Sequence, residues 1–232
     1  MVTTRPRLIL AIETTDANCA AALRDASGER VRTVEEIGRG HAERIVELCA
    51  ETLQGADAEW CHLTDIAVAV GPGTFAGVRA GVAAARGFAL SLGIPAHGVT
   101  ALEAVAASAN GPCIAALPGP RGQIFAQSFG SNAEPLDGAV LAAPEVLAER
   151  YANHETILIG PAADTLASLL GASAHVVSRD GPDVGAVARI AMERIGRGDH
   201  RPAEPFYLRG ADAAPPKPPL ARADAPQPMA ER

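Results

Sequence analysis

The stretch from Asp65 to Gly93 constrains the fold most, because it reads DIAVAV, then GPGTFAG, then VRAGVAAARGFALSLG. The unbroken apolar run predicts a short strand that is buried on both faces. Pro72 has no amide hydrogen and the glycines beside it permit unusual backbone angles, so the strand ends there. The hydroxyl of Thr74 can then cap a helix that runs to Leu92. This order of strand, tight turn and helix predicts an α/β or mixed architecture.

The glycine-rich turn is a candidate anion site. Such turns direct backbone N–H groups at whatever lies before the helix, so Gly71, Gly73, Thr74 and Gly77 are candidate phosphate-binding residues. The segment is not a Walker loop, because the lysine and the Ser/Thr of GxxxxGK[ST] are absent, and its glycines lack the GxGxxG spacing. A capped turn that brings the helix close to the strand is the alternative.

The helix after the turn is apolar around most of its circumference. Its two adjacent apolar faces hold Gly77, Gly81, Ala84, Phe88 and Leu92, and Val78, Val82, Ala85 and Ala89. A helix of this kind is normally covered on more than one side. Glycine costs about 1 kcal/mol relative to alanine inside a helix, so Gly77, Gly81 and Gly87 suggest close approach of another helix backbone. A second chain is one candidate for that cover.

Another helix with a wide apolar stripe is predicted after Gly40. Its adjacent sides hold His41, Ile45, Leu48 and Thr52, and Ala42, Val46, Cys49 and Leu53. This stripe is wider than one sheet contact requires. His41 has no HxxxH partner, so an interface contact is favoured over a metal ligand.

The elements divide the 232-residue chain into two parts and a tail. We predict an N-terminal lobe at residues 1–107, a smaller C-terminal α/β lobe at 108–210 and a disordered, alanine- and proline-rich tail at 211–232. The predicted elements of the second lobe are strands at Cys113–Leu117, Gln123–Phe129 and Thr156–Ile159 and helices at Pro144–Tyr151, Pro161–Leu170 and Val184–Ile195. The two halves show no obvious sequence repeat.

Composition excludes several classes of protein. A net charge of −7 without a Lys/Arg cluster disfavours a self-sufficient nucleic-acid binder. The absence of a signal peptide and of a long apolar run predicts a cytoplasmic protein without membrane contact. The four cysteines form no CxxC pair, which predicts reduced, mostly buried thiols. The adjacent Cys61 and His62 lack a second ligand pair and make a poor zinc site.

Few residues suggest catalysis. Glu13 and Asp16 lie at the end of the first strand, where actin-like ATPases place an acid that holds magnesium and phosphate, but a plain turn has the same appearance. No nucleophile, base and oxyanion donor can be assembled. The sequence therefore predicts no catalytic residues, no metal site and no cofactor in this chain.

Five segments, in order, resemble the TsaB family: LAIETTDANCAAAL, GHAERIVEL, VGPGTFAGVRAGVAAARGFA, GIPAHGVTALEAVA and PFYLR. The likeness covers most of residues 8–107 and returns at Pro205–Arg209. TsaB is the non-catalytic partner subunit of the bacterial machinery that makes threonylcarbamoyladenosine at position 37 of tRNA. The resemblance implies an actin-like (ASKHA, ribonuclease-H-like) two-lobed fold with mixed sheets flanked by helices.

The resemblance also implies partners. It predicts a heterodimer with a TsaD homologue through the first two helices, a homodimer through the same surface when the chain is alone, and a complex joined by a TsaE-type ATPase. ATP or ADP and a metal ion are expected at the partner subunits, and tRNA contact only through the complex. The predicted interface residues are His41, Ile45, Leu48, Cys49, Thr52, Val78, Gly81, Val82, Ala85 and Phe88.

Two other functions stay open. One is an independent actin-like ATPase or kinase that binds nucleotide at Gly71–Gly77. The other is a carbamoyl-transferring enzyme, which would need a metal site. The chain also reads Pro118-Gly119-Pro120 where many TsaB proteins have Asp-Ala-Arg, which puts any nucleotide or TsaE role of that loop in doubt.

Overall fold

The computed structural model describes residues 6–152, 156–171, 174–178 and 180–208. The predicted disordered tail at 211–232 lies outside these residues. Among the residues described, no helix is both long and apolar enough to cross a membrane.

The first half of the chain contains five strands and three helices. Its elements are β1 (Leu8–Glu13), β2 (Asn18–Asp25), β3 (Gly28–Glu36), α1 (His41–Gln54), β4 (Asp65–Ala69), α2 (Phe75–Leu92), β5 (Ala96–Val99) and α3 (Ala101–Ala106). The second half contains β6 (Cys113–Pro118), β7 (Ile124–Phe129), β8 (Val140–Ala142), α4 (Pro144–Tyr151), β9 (Thr156–Ile159), α5 (Ala163–Leu170), β10 (Ala174–Ser178) and α6 (Val184–Gly196). Short 3₁₀ turns lie at Trp60–His62 and Pro120–Gly122.

The two sheets have the same topology. The first has strand order β3-β2-β1-β4-β5 and the second β8-β7-β6-β9-β10. In each, the first three strands pair antiparallel, while the first, fourth and fifth run parallel. The fold is therefore a topological repeat of βββαβαβα, and the predicted mixed sheets flanked by helices are confirmed.

The strands of the first sheet are packed on both faces. All five residues of β4 are buried, as predicted from the unbroken apolar run. Ile66 and Val68 face a core shared with α1 and α2, whereas Ala67 and Ala69 face a core shared with α6. Alternate residues of a strand point to opposite faces, so a strand with two covers is apolar throughout.

The third helix of each half packs on the opposite half. Helix α3 contacts β6 and β7, and α6 contacts β1, β2 and β4. The buried carboxylate of Glu103 pairs with Arg194 of α6, and Arg201 Nη1 lies 3.0 Å from the same oxygen. The range 108–210 predicted as the second lobe therefore includes a helix that belongs to the first sheet.

Two strands escaped the sequence prediction. β8 has only three residues, all half-buried, and β10 is an edge strand whose residues alternate between half-buried and exposed. Neither gives the apolar run that predicts a buried strand.

Candidate functional site

The glycine-rich turn caps α2 as predicted. The Thr74 hydroxyl accepts a hydrogen bond from Gly77 N at 3.3 Å. The Gly71–Pro72 peptide bond is cis, and Gly71 has a φ of 100°, which favours glycine. The turn thus joins the buried strand β4 directly to the first turn of α2.

The space before this turn is filled by the loop between β1 and β2. Thr74 N donates to the carbonyl oxygen of Thr15 at 2.7 Å, and Thr14 Oγ1 donates to the carbonyl oxygen of Gly77 at 2.8 Å. A Cβ atom at Gly73 would collide with Thr15, and one at Gly77 would collide with Thr14. This packing explains both glycines without a phosphate.

Gly81 also packs inside the chain. A Cβ atom there would collide with the hydroxyl of Thr14. The prediction that Gly81 admits another helix backbone is therefore wrong, because its neighbour is the loop after β1. By contrast, nothing lies within 4 Å of the corresponding position at Gly87, which is exposed on α2.

A cleft opens beside this loop. Its lining residues are Thr15, Asp16, Ala17, Pro72, Gly73, Thr74, Leu117, Pro118, Pro161 and Pro182. The four prolines supply no amide donors. Asp16 is the one charged residue in that lining, and its carboxylate accepts from Asn18 N at 2.7 Å. These groups suit a phosphate or a nucleotide poorly.

Glu13 lies at the end of β1 with its side chain buried. One carboxyl oxygen accepts hydrogen bonds from the backbone and the hydroxyl of Thr15, while Oε2 is buried without a partner in the described structure. Burial, with a smaller effect from the nearby Asp16 charge, raises the pKa of Glu13 to about 8. Burial thus disfavours the ionised form of Glu13, which is the form that binds magnesium.

The predicted interface helices exist, but most of the predicted contact residues point inward. The residues that are at most 3% exposed are Ile45, Leu48, Cys49, Thr52, Val78, Val82 and Ala85. His41 is 7% exposed, with Nε2 3.0 Å from the Asn18 carbonyl oxygen, and Phe88 is half-buried against Trp60. The fully buried residues belong to the chain's own core, which corrects their assignment as partner contacts.

The outward side of the same helices is also apolar. We call it the docking face, formed by Ala42, Val46 and Ala50 of α1 and Ala76, Ala83, Gly87 and Leu90 of α2. Val46 is 51% exposed and Leu90 is 86% exposed. Arg44 of α1 pairs with Glu35 of β3, so the opposite flank of α1, with Val46 and Ala50, lies toward α2.

Comparisons with known proteins agree with this fold. A family model described as "TsaD: tRNA N6-adenosine threonylcarbamoyltransferase" matches residues 34–175. The solved structure of "YeaZ from Pseudomonas aeruginosa" superposes with a TM-score of 0.76 at 22% identity, over 87% of this chain and 100% of that one. This likeness, like that to the protein EutJ at a TM-score of 0.51, concerns the fold.

Proteins related in sequence give more specific information about the family than the fold does. The "tRNA threonylcarbamoyladenosine biosynthesis protein TsaB" of Escherichia coli is 28% identical over 87% of this chain and 94% of that protein. An uncharacterized protein of Mycobacterium tuberculosis is 31% identical over 81% of this chain and 82% of its own length. The match to a longer uncharacterized protein of Mycobacterium leprae, at 29% identity, covers 38% of that relative.

The paired sheets of identical topology define an actin-like protein. Within that class, the chain belongs to the TsaB family.

Proposed function

We propose that this chain is a non-catalytic scaffold subunit that binds a TsaD homologue during threonylcarbamoylation of adenosine-37 in tRNA. The observation that carries the proposal is the docking face. It places Val46, Leu90 and several alanines on the solvent side of two long helices. Contiguous exposed apolar residues of this kind mark protein interaction sites.

Small side chains on the docking face permit close packing. Ala83 and Gly87 are four residues apart and lie on one side of α2, so a partner helix can approach the backbone there. Val46 and Leu90 project beyond this small-residue surface and can enter grooves between a partner's side chains. The same face can join two copies of this chain when TsaD is absent.

Charged residues border the docking face with opposite signs. Glu43 and Glu47 lie on the solvent side of α1, whereas Arg79 and Arg86, seven residues apart, lie on one side of α2. A related face packed against this one can pair acidic with basic borders. Such pairing fixes the orientation of partners and speeds association.

The chemistry of the cleft supports our assignment of nucleotide and metal binding to other subunits. Its proline-rich lining offers few amide donors to a phosphate, and burial disfavours the charged form of Glu13; both observations support nucleotide and metal sites elsewhere in the complex. We therefore assign ATP or ADP and the catalytic metal ion to the partner subunits, TsaD and a TsaE-type ATPase. This chain has a net charge of −7, which disfavours direct binding to the phosphates of tRNA. We therefore assign contact with tRNA to the assembled complex.

The test measures binding of the full chain to the TsaD homologue of its own organism by calorimetry. The variants Val46→Arg and Gly87→Arg change exposed positions, and Val146→Arg is the matched control on α4, where the valine is 55% exposed. We expect each docking-face variant to raise the Kd at least about a hundredfold and the control to bind like wild type. Circular dichroism melting checks that all three variants fold.

Two results would contradict the proposal. Either wild type does not bind TsaD, or folded docking-face variants bind as tightly as the control. Thermal melting with ATP and magnesium tests the kinase alternative separately, because a ligand that binds only the folded state raises the Tm. We expect no rise for this chain alone.

A further inference from the structure

The 3₁₀ turn between α1 and β4 gathers three different metal-binding side chains. Donor atoms of Glu59, Cys61 and His62 all lie within 4.8 Å of one another, and the three side chains are exposed. In the described part of the chain, no other group of three such residues comes this close. The cluster lies outside the cleft, and Glu59 and Cys61 line a pocket together with Ala50, at one edge of the docking face.

The local structure holds these side chains at the surface. The carboxylate of Glu59 accepts the backbone N–H of His62, and Glu59 N donates to His62 Nδ1 at 3.0 Å. The ring of Trp60 packs against Phe88 of α2 at a centroid distance of 4.6 Å, and Leu63 is buried in the core. With Trp60 and Leu63 anchored inward, the donors on either side of Trp60 point outward.

We propose that Glu59, Cys61 and His62 form an exchangeable site for a borderline-soft divalent cation such as Zn²⁺. Thiolate, imidazole and carboxylate are the three side-chain ligands that zinc uses, whereas magnesium and calcium prefer oxygen donors alone. Three protein ligands leave a fourth tetrahedral position for water or for a donor from another molecule. The sequence shows no second ligand pair for Cys61 and His62, and the 3₁₀ turn brings the carboxylate of Glu59 to them as a third ligand.

The hydrogen bonds of the turn explain why the site exchanges its metal. The lone pair of His62 Nδ1 accepts the Glu59 N–H, so a metal bound at that nitrogen displaces this hydrogen bond. The Cys61 thiol, whose Sγ lies 3.6 Å from Glu59 Oε2, releases its proton to solvent when the metal–sulfur bond forms. Both changes weaken binding relative to a preformed structural zinc site.

Cobalt provides a specific reporter, because a cobalt–thiolate bond absorbs in the near ultraviolet. The other three cysteines are buried, and burial raises the pKa of Cys19 and of Cys113 to about 11 and that of Cys49 further. A thiolate band from the folded chain therefore reports on Cys61.

The experiment titrates the reduced, full chain with Co²⁺ and then with Zn²⁺. We expect a thiolate band that saturates at one Co²⁺ per chain and is displaced by Zn²⁺. Cys61→Ser removes the band, and Glu59→Gln and His62→Gln each weaken Co²⁺ binding at least about tenfold. Glutamine at position 59 retains an oxygen acceptor for the turn, so that variant keeps the fold.

His175→Gln is the matched control, because His175 is an exposed histidine on β10. We expect this variant to bind Co²⁺ like wild type. The proposal is overturned if wild type gives no thiolate band. It is also overturned if the band and the affinity survive both Glu59→Gln and His62→Gln, since the metal would then be held by one thiol alone.

Discussion

The two halves of this molecule share one topology and differ in what they expose. In the first half α1 has 14 residues and α2 has 18, whereas α4 and α5 in the second half have 8 each. Strand β1 ends in the buried Glu13, and the equivalent strand β6 ends in the exposed Pro118. The two halves thus keep the same order of elements although their helices differ in length and their strand ends differ in chemistry.

One sequence trace of the repeat persists at the strand-to-helix turns. Gly71-Pro72 follows β4 and Gly160-Pro161 follows β9, and the two glycines have φ values of 100° and 109°. Such angles strain any residue with a Cβ atom. The backbone geometry of the turn is therefore the feature that both halves retain, while the longer helices of the first half are free to form the docking face.

The largest effect is expected where the first half is packed most tightly. Gly77→Ala places a Cβ atom against the carbonyl of Thr14, so we expect a loss of at least about 4 kcal/mol in the free energy of unfolding. Urea denaturation followed by circular dichroism measures it. A loss below about 1 kcal/mol would show that the loop after β1 can move away.

The next effect concerns the contact between the halves. Arg194→Met leaves Glu103 buried with Arg201 as its remaining partner, and we expect a loss of about 3 kcal/mol in urea denaturation. Arg189→Met in the same helix removes a more exposed pair with Glu193 and should cost below about 1 kcal/mol. Equal losses for the two variants would contradict a structural role for the buried pair.

Glu13 has no acidic counterpart at the end of β6. Its contribution to the stability of the fold depends on pH. Its pKa is 4.5 in an ordinary setting and about 8 in the fold, so the native state holds the proton more tightly than the unfolded chain. The contribution of Glu13 to stability is therefore fully present below pH 4.5 and is lost as pH rises through about 8.

Glu13→Gln should remove that part of the pH dependence, because glutamine does not ionise. Thermal melts of both proteins across this pH range measure the difference. Parallel curves for wild type and variant would show that Glu13 ionises normally.

The smallest effect on stability is expected at Gly87, which lies in the same helix as Gly77 but is exposed. Gly87→Ala adds a Cβ atom that meets nothing within 4 Å, so we expect stabilisation by about 0.5–1 kcal/mol from helix propensity. Destabilisation of the isolated chain would mean that Gly87 already packs closely against another surface. The same urea assay, run at several protein concentrations, distinguishes a second copy from an internal contact.

Local sequence patterns determined the secondary structure of the first half. The apolar run of β4, the cap at Thr74 and the stripes of α1 and α2 each appear where they were predicted. Turn chemistry and periodicity are local properties, so a single sequence carries them. The outward residue Val46 of α1 was part of the predicted stripe, whereas the exposed Leu90 of α2 belonged to neither predicted apolar face.

Tertiary packing decided which of these residues are buried inside the chain and which are exposed to solvent. The sequence predicted Gly81 and Val82 as partner contacts, but the loop after β1 and the sheet cover them. The direction of α6, which returns to the first sheet, depends on contacts between residues that are far apart in the sequence. A wide apolar stripe indicates that a helix is covered on more than one side, and the fold shows which of these contacts lie within the chain.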